Sequence, residues 1–578
     1  MSLKKAIFFI TVIFIMVLCL RLPTVSEKFF NVDEGIGAVV ADSILEGGVY
    51  YRDSIDQRGP VTYYIYALIF ALFGKNNMFA VHCFLILLIF AIAIILYLIS
   101  VLIADRKMAC WVVLSFGIFT HGYAKSDMLA FHTEWAAALF NVIGGYFFLK
   151  HFFKSRNISL FFSGIAFGLA FFSKQPALLD YLIALIFCPI FCFVMGRKNN
   201  RPLFAPCVYM VAGFILPAAV IVAYYWLNNA LKDFWFYFCV YNFKYYAAAI
   251  PFFVRAKIAA AYLINPNSFF MVNSLLTVSF LSGGIKALWQ LLHNYKKASR
   301  DLLIGVYILF WGVSAYIGAA YTGRNYGHYY IMILPAFCLL GGKTIHELFG
   351  AINYHFRQNR QKLYIVRMFL IIVISFGMTM PLIKRFSYKE VYLSSSSDPL
   401  NAKFACGNKL SQISFWQDDH FLLFNKKRPG RRNILLPKKE LNSLLTYMKS
   451  GNNGNCEKIF VWGFYPEIYA LLNQMPASRY TYCNFLTGLL PWVNIDEKVD
   501  TSSTVVPGSW DIFMSELKKN KPAYIIDTSL GNHNYYGKYP LYKFGRFFNF
   551  VLNNYAVDRF FLGRDMKVSF VLFKRKDI

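Results

Sequence analysis

Runs of roughly 18 or more apolar residues recur from the N-terminus to about residue 383, each long enough to cross a bilayer. Of the 578 residues 57% are hydrophobic and only 15% charged, too few charges to cover a soluble surface of that size. The chain reads as a polytopic α-helical membrane protein. About eleven spans are expected, near 6–22, 78–104, 108–122, 128–149, 158–173, 177–195, 204–227, 267–290, 302–320, 329–348 and 363–383. The first has Lys4-Lys5 before it and no small-x-small cleavage site, so it reads as an uncleaved anchor.

Charge sets the sidedness. A net charge of +29 can indicate nucleic acid, but outside the C-terminal third the basic residues fall largely in short loops between spans. With Lys4-Lys5 in the cytoplasm, Arg106-Lys107, Lys150 to Arg156, Arg197 to Arg201, Lys296 to Arg300 and Arg357 to Lys362 all fall inside, as the positive-inside rule requires. The membrane surface accounts for the charge, and no nucleic-acid partner is expected. The outer loops are then 23–77, 121–127, 173–176, 228–266, 321–328 and the chain beyond about 385. They hold Asp33, Glu34, Asp56, Lys125, Asp127, Lys174, Lys244, Arg324 and His328, so a site is expected on the outer side.

Residues 1–384 are expected to form a transmembrane catalytic module with two large outer loops, 23–77 and 228–266. In the first, Ala38 to Leu45 and Val61 to Phe73 are too short to span and read as helices lying at the interface. The second is crowded with Trp235, Tyr237, Tyr241, Tyr245 and Tyr246 around Lys244, either a membrane belt or a substrate surface. Past a Ser394–Ser397 linker, residues 385–578 read as an extracytoplasmic α/β domain. Strands are expected at Lys458 to Trp462, Tyr524 to Asp527 and Val568 to Phe573, with amphipathic stretches at Ile512 to Lys519 and Tyr542 to Asn553. No Gly-rich phosphate loop accompanies them, which argues against a nucleotide-sugar site. Of eleven cysteines, only Cys406, Cys456 and Cys483 fall in this part, allowing at most one disulfide there.

Carboxylates beside a bilayer are costly to desolvate, which singles out Asp33-Glu34. Asp33 can serve as a base or as a helix N-cap, and Asp56 can act or brace the turn at Gly59-Pro60. Arg58 can grip a phosphate with two bonds. Lys174 can do so too, or snorkel to the interface. Arg324 and His328 flank a Gly/Asn turn that is either solvated or part of a site. Glu134 enters a span at a cost of around 3 kcal/mol at mid-depth, so it should face a cavity. Asp127 belongs with it or pairs with Lys125 at the surface, and His121 and His132 read as structural.

Four stretches carry a resemblance. They are Asp33-Glu34-Gly35, Asp56-Gln57-Arg58-Gly59-Pro60 with Tyr63-Tyr64, Phe172-Ser173-Lys174-Gln175-Pro176-Ala177, and Gly323-Arg324 through His328-Tyr329-Tyr330. In that order the chain resembles bacterial GT-C glycosyltransferases of the family 39 type, related to protein O-mannosyltransferases and the aminoarabinose lipid A transferase. Val461-Trp462-Gly463, Pro466-Glu467 and Ser478-Arg479-Tyr480 resemble features of members with an external tail. The resemblance implies sugar transfer from a polyprenyl-phosphate donor to an acceptor hydroxyl on a lipid, glycan or protein, by inverting displacement, in a bacterial plasma membrane. It implies Asp33 as base with Glu34 beside it, and Arg58, Lys174, Arg324 and His328 at the donor phosphate. Asp56, Asp127, Glu134, Gln175, Tyr63, Tyr64 and Lys244 are the expected substrate contacts. The aminoarabinose enzyme has Glu-Lys-Pro where this chain reads Gln57-Arg58-Gly59-Pro60, and neither a divalent metal nor another cofactor is assigned.

A transporter or flippase is the rival reading, because buried ionisable groups also mark translocation paths. No internal repeat is visible, and the charges gather on one side instead of at mid-depth. A displayed scaffold would need only one or two anchoring helices.

Overall fold

The computed structural model of the chain describes residues 2–22, 25–121, 125–154, 156–196, 204–293, 299–387, 438–451, 458–491, 493–563 and 567–577. The Ser394–Ser397 linker, Cys406, Cys456 and the Arg197 to Arg201 cluster lie outside the described residues. Helices occupy all the expected span positions, among them Leu3–Arg21, Met78–Ile103, Thr133–Lys154, Asn157–Ser173 and Arg300–Ala320. Among the described residues, 8 helices are long and apolar enough to cross a membrane. Ile7–Arg21 and Asn157–Ser173 are apolar but shorter, and Arg106–Phe119 has 14 residues.

The helical bundle is layered. Arg300–Ala320 and Gly327–His355 are innermost, with 72% of the residues in their most apolar 18-residue stretches buried, against 17% and 11% for Ala205–Leu227 and Arg360–Thr379, which present apolar side chains outward. Trp135, Trp311 and Tyr307 fill the centre. An inward helix in a bilayer must satisfy its polar groups locally, and Asp180 does so by accepting from Asn141 Nδ2 (2.6 Å) and Ser314 Oγ (2.7 Å).

Two expectations for the outer loops change. Val32–Leu45 is a helix, but Glu34 through Ser43 are buried, so it is a packed element and not one lying at an interface. Helix Pro60–Phe73 keeps the amphipathic character expected of it, with Tyr63, Tyr66 and Phe70 buried and Leu68, Leu72 and Phe73 exposed. The 228–266 stretch is not a loop. Leu231–Ala247, largely π-helical, and Phe252–Leu263 form a helix pair bent by 82°. The break falls at Pro251, which cannot continue a helical ladder. Extra π-helical residues shift each following side chain around the axis, so the aromatic pattern shows no clean period of 3.6.

The C-terminal sheet has four strands: β1 (Ile459–Trp462), β2 (Tyr524–Asp527), β3 (Tyr555–Leu562) and β4 (Val568–Arg575), in the order β1-β2-β4-β3. β1 and β2 are parallel and the other pairs antiparallel. Three strands fall where expected. β3 was not anticipated, because as an edge strand it exposes most of its residues and lacks a buried-strand pattern. The amphipathic stretches form helices Ser509–Asn520 and Gly545–Asn554, which pack Phe513 and Phe547 against Phe460. Cys483 is a buried free thiol.

This sheet region packs on the Val32–Leu45 and Leu231–Ala247 helices. β1 runs through Gly463 into helix Glu467–Leu472, which packs on Val32–Leu45 so closely that a Cβ on Gly35 would lie 2.8 Å from the Glu467 nitrogen. Phe485 meets Tyr237 and Tyr241 with ring centroids 5.5 and 5.0 Å apart, and Tyr326 donates to the Pro491 carbonyl at 3.0 Å.

Candidate active site

Five segments bring charged side chains to one end of the bundle. Asn31 caps the Val32–Leu45 helix by accepting from the Glu34 nitrogen (3.3 Å), which leaves the Asp33 carboxylate free of capping duty. Asp33 Oδ1 instead meets Arg58 Nη2 at 2.6 Å, and Oδ2 lies 3.5 Å from His132 Nδ1 and 4.0 Å from His328 Nε2. The second segment reaches this point because Gly59 has no side chain. A Cβ there would lie 2.2 Å from the Phe172 carbonyl oxygen, so glycine lets the Arg58 turn press against the helix end that carries Lys174.

Asp127 accepts from the His328 backbone nitrogen (3.1 Å) and faces His328 Nδ1 (3.2 Å). The His328 ring stacks on His132 with centroids 4.1 Å apart. Glu134, at the first turn of its span, pairs with Lys174 Nζ at 2.8 Å, and Lys174 also lies over the Tyr329 ring. Arg324 lies 3.6 Å from the centroid of Tyr246 and donates to its carbonyl oxygen at 2.8 Å. The Tyr246 and Tyr329 hydroxyls share a 3.2 Å hydrogen bond, so the two cations rest on one linked aromatic pair.

Electrostatics keep the acids ionised. Burial pushes the Asp33 carboxyl up, but Arg58, His132 and His328 outweigh it and hold Asp33 below its ordinary value. Asp127 is likewise raised by burial and pulled down further by His328. Glu467, across from Asp33, goes the other way: burial, with a smaller push from the Asp33 charge, lifts it to about 8. Its ordinary value is 4.5, so the folded state holds a proton the unfolded state releases, and stability should fall as pH rises from there to about 8. Glu467→Gln, which cannot titrate, is expected to melt several degrees above the wild type at pH 8 and to converge with it near pH 4.5. Equal pH slopes for the two melting curves would refute the buried neutral acid.

Several expected site residues have other places. Glu34 is fully buried, accepting from the Phe30 and Phe131 nitrogens (both 2.8 Å) and facing His82 Nε2 at 3.1 Å. It ties three segments together and has no surface for a substrate. Arg58, expected at the donor phosphate, is spent on Asp33 and on Asp56 Oδ2 (2.9 Å). Asp56 is fully buried and also accepts from Tyr63 and Tyr482. Gln175 Nε2 braces the Gln57 and Phe238 carbonyls at 3.0 and 3.1 Å. Tyr64 packs edge-on against Tyr224, away from the charged cluster, and Lys244 is exposed beside Tyr245. Conversely, His132 stands at the centre of the cluster, and its position two residues before Glu134 was the available signal.

Asp33, His132 and His328 can each offer one ligand atom, and these atoms lie within 4.8 Å of one another. Of the far nitrogens, His132 Nε2 accepts from the Asn31 amide at 2.8 Å, because Asn31 Oδ1 is already held by the Glu34 nitrogen, and His328 Nδ1 lies 3.2 Å from Asp127 Oδ2. Residue types and spacing alone would suit a divalent cation, but a neutral His132 that accepts at Nε2 carries its proton on Nδ1, the nitrogen that faces Asp33, so the set does not fit one as arranged.

Residues 57–226 match the family model described as dolichyl-phosphate-mannose-protein mannosyltransferase. No curated protein sequence matches the chain. Among solved structures it is similar to ArnT from Cupriavidus metallidurans bound to undecaprenyl phosphate, at 10% identity and TM-score 0.54, over 99% of this chain and 98% of that one. The apo form of ArnT gives 12% and 0.53, over 97% of each chain. An Archaeoglobus fulgidus oligosaccharyltransferase tethered to an acceptor peptide gives 11% and 0.51, over 98% of this chain and 74% of that one. These likenesses establish architecture: a multi-span helical bundle carrying a C-terminal sheet region, the GT-C fold, related to that of the protein mannosyltransferases and ArnT.

Proposed function

We propose that the protein is an integral membrane glycosyltransferase that moves a sugar from a polyprenyl-phosphate donor to an acceptor hydroxyl on the outer face of a bacterial plasma membrane. The observation that carries this reading is the clustering of the Asp33 carboxylate with His132 and His328, which Glu134 links to Lys174, at one end of the bundle. The family match over 57–226 and the undecaprenyl phosphate in the ArnT structure support the donor class.

In this reading Asp33 takes the acceptor's hydroxyl proton as the acceptor oxygen bonds to the anomeric carbon. The bond from that carbon to the phosphate oxygen breaks, and its electron pair leaves with the polyprenyl phosphate. One displacement inverts the anomeric centre and needs only one base. Lys174 and Arg324 stabilise the charge gathering on the phosphate, and Glu134 and Asp127 set Lys174 and His328 in place. The positive-inside loops support a cytoplasmic N-terminus with the site and the C-terminal domain, residues 385–578, outside.

Membranes supplied with a panel of radiolabelled polyprenyl-phosphate sugars should pass label into a lipid, protein or glycan fraction. Label transferred only from nucleotide sugars would overturn the lipid-donor reading.

A further inference from the structure

We propose that the C-terminal sheet region is part of the catalytic apparatus, with Tyr482 acting through Asp56 and Arg58 as a positioning residue for Asp33. The proposal rests on the glycosyl-transfer reading above and names a residue that reading does not use.

The connection is a continuous chain of short polar contacts. Tyr482 donates to Asp56 Oδ1 at 2.6 Å, Arg58 Nη1 meets Asp56 Oδ2 at 2.9 Å, and Arg58 Nη2 meets Asp33 Oδ1 at 2.6 Å. Every member is at least largely buried: Asp56 is fully so, Tyr482 is 3% exposed, and the Arg58 and Asp33 side chains are 16% exposed. Tyr63 shares Oδ2 with Arg58, so Tyr482 alone among the described residues is seen to donate to the other oxygen. Removing that donor leaves half of a buried carboxylate unsatisfied. The Arg58 backbone is fixed as well, its carbonyl accepting from Tyr50 (2.9 Å) and Tyr51 (2.6 Å). With its backbone and one guanidinium nitrogen pinned, Arg58 can hold Asp33 in one rotamer.

A base must meet its proton in a narrow geometry, and a displacement of about 1 Å can cost on the order of 100-fold in rate. The unusual point is where the last support comes from. Tyr482 and Asp56 lie 426 positions apart, and the donor belongs to the sheet region. The same region reaches the loop again where the Ile55 nitrogen donates to the Arg479 carbonyl (3.1 Å), and it meets the Asp33 helix where Gly35 admits Glu467. The sheet region therefore holds the Asp33 helix and the Asp56 loop in register. Packing alone is the competing role for Tyr482, whose ring lies 5.0 Å from that of Phe464 and 5.2 Å from that of Phe485. Phenylalanine would keep those contacts.

The test is Tyr482→Phe in the full-length protein, with kcat and donor KM measured on whichever radiolabelled polyprenyl-phosphate sugar the wild type uses. The expected result is a kcat about 10-fold to 100-fold lower with donor KM little changed. Hydrogen–deuterium exchange in detergent should be faster at residues 32–36 and 55–58, with the transmembrane helices as slow as in the wild type. Because both changes act along one chain, Tyr482→Phe added to Asp56→Asn should lower kcat no further than Asp56→Asn alone. Wild-type kcat with unchanged exchange overturns the proposal, as do losses that multiply in the double variant. A wild type that uses no lipid-phosphate donor overturns the glycosyl-transfer reading instead, and the exchange rates at 32–36 and 55–58 then decide the Tyr482 contact by themselves.

Discussion

Replacing Asp33 with Asn is expected to abolish sugar transfer while the protein still folds and inserts. General bases contribute roughly 100-fold to 10,000-fold, and among the described residues the acids beside Asp33 have other partners or, like Glu467, are buried and neutral. Glu34 is enclosed by backbone nitrogens, Asp127 faces His328, and Glu134 is paired with Lys174. Folding should survive because Asn31, not Asp33, caps the helix, and an amide can still accept from Arg58. Glu34→Gln makes the contrast. Its side chain joins the Phe30 and Phe131 nitrogens to His82, so an amide there should lower the melting temperature, and activity should fall only as folded protein is lost. Transfer assays and thermal melts on both variants separate the two roles. Near-wild-type transfer by Asp33→Asn would remove this residue as the base.

Those two neighbours also show how far the sequence could be read. Adjacent helix residues point about 100° apart, so one of the pair faces the polar end of the bundle and the other its core. A carboxylate pair beside a span marks the place but not the division of labour, which depends on Phe30, Phe131 and His82 arriving from elsewhere. The spans were legible because each must bury its own backbone in an apolar run, and the common end of the charged loops followed from counting those runs. Arg58 was harder. A guanidinium after a span looks available until its partners are known, and Asp33 lies 25 residues away. His132 was hidden because a single imidazole beside an apolar run looks like any other core residue until His328 stacks on it. The 228–266 stretch was misread because π-helical turns erase the helical period that would have identified it.

In the proposed reaction, with Arg58 paired to Asp33 and Asp56, Arg324 is the cation expected to contribute most to holding the leaving phosphate. It is 2% exposed, and among the described residues no carboxylate pairs with it. Its Nε and Nη1 groups are buried without a hydrogen-bond partner, while Nη2 is held by the Tyr246 carbonyl. A buried cation with idle donors is costly to the empty protein, and an arriving phosphate would offset that cost. Lys174 differs, since Glu134 already balances its charge at 2.8 Å. Arg324→Met should therefore lower kcat/KM by roughly 100-fold to 1,000-fold, with Lys174→Met costing less. The binding part of that loss has a separate readout, since undecaprenyl phosphate, a probe of the lipid-phosphate class that the proposed transfer would release, should inhibit Arg324→Met far more weakly than the wild type. The melting temperature should hold or rise, because the substitution removes an uncompensated buried charge. Unchanged product inhibition in Arg324→Met would place the phosphate elsewhere, and a larger loss from Lys174→Met would reverse the order of the two cations.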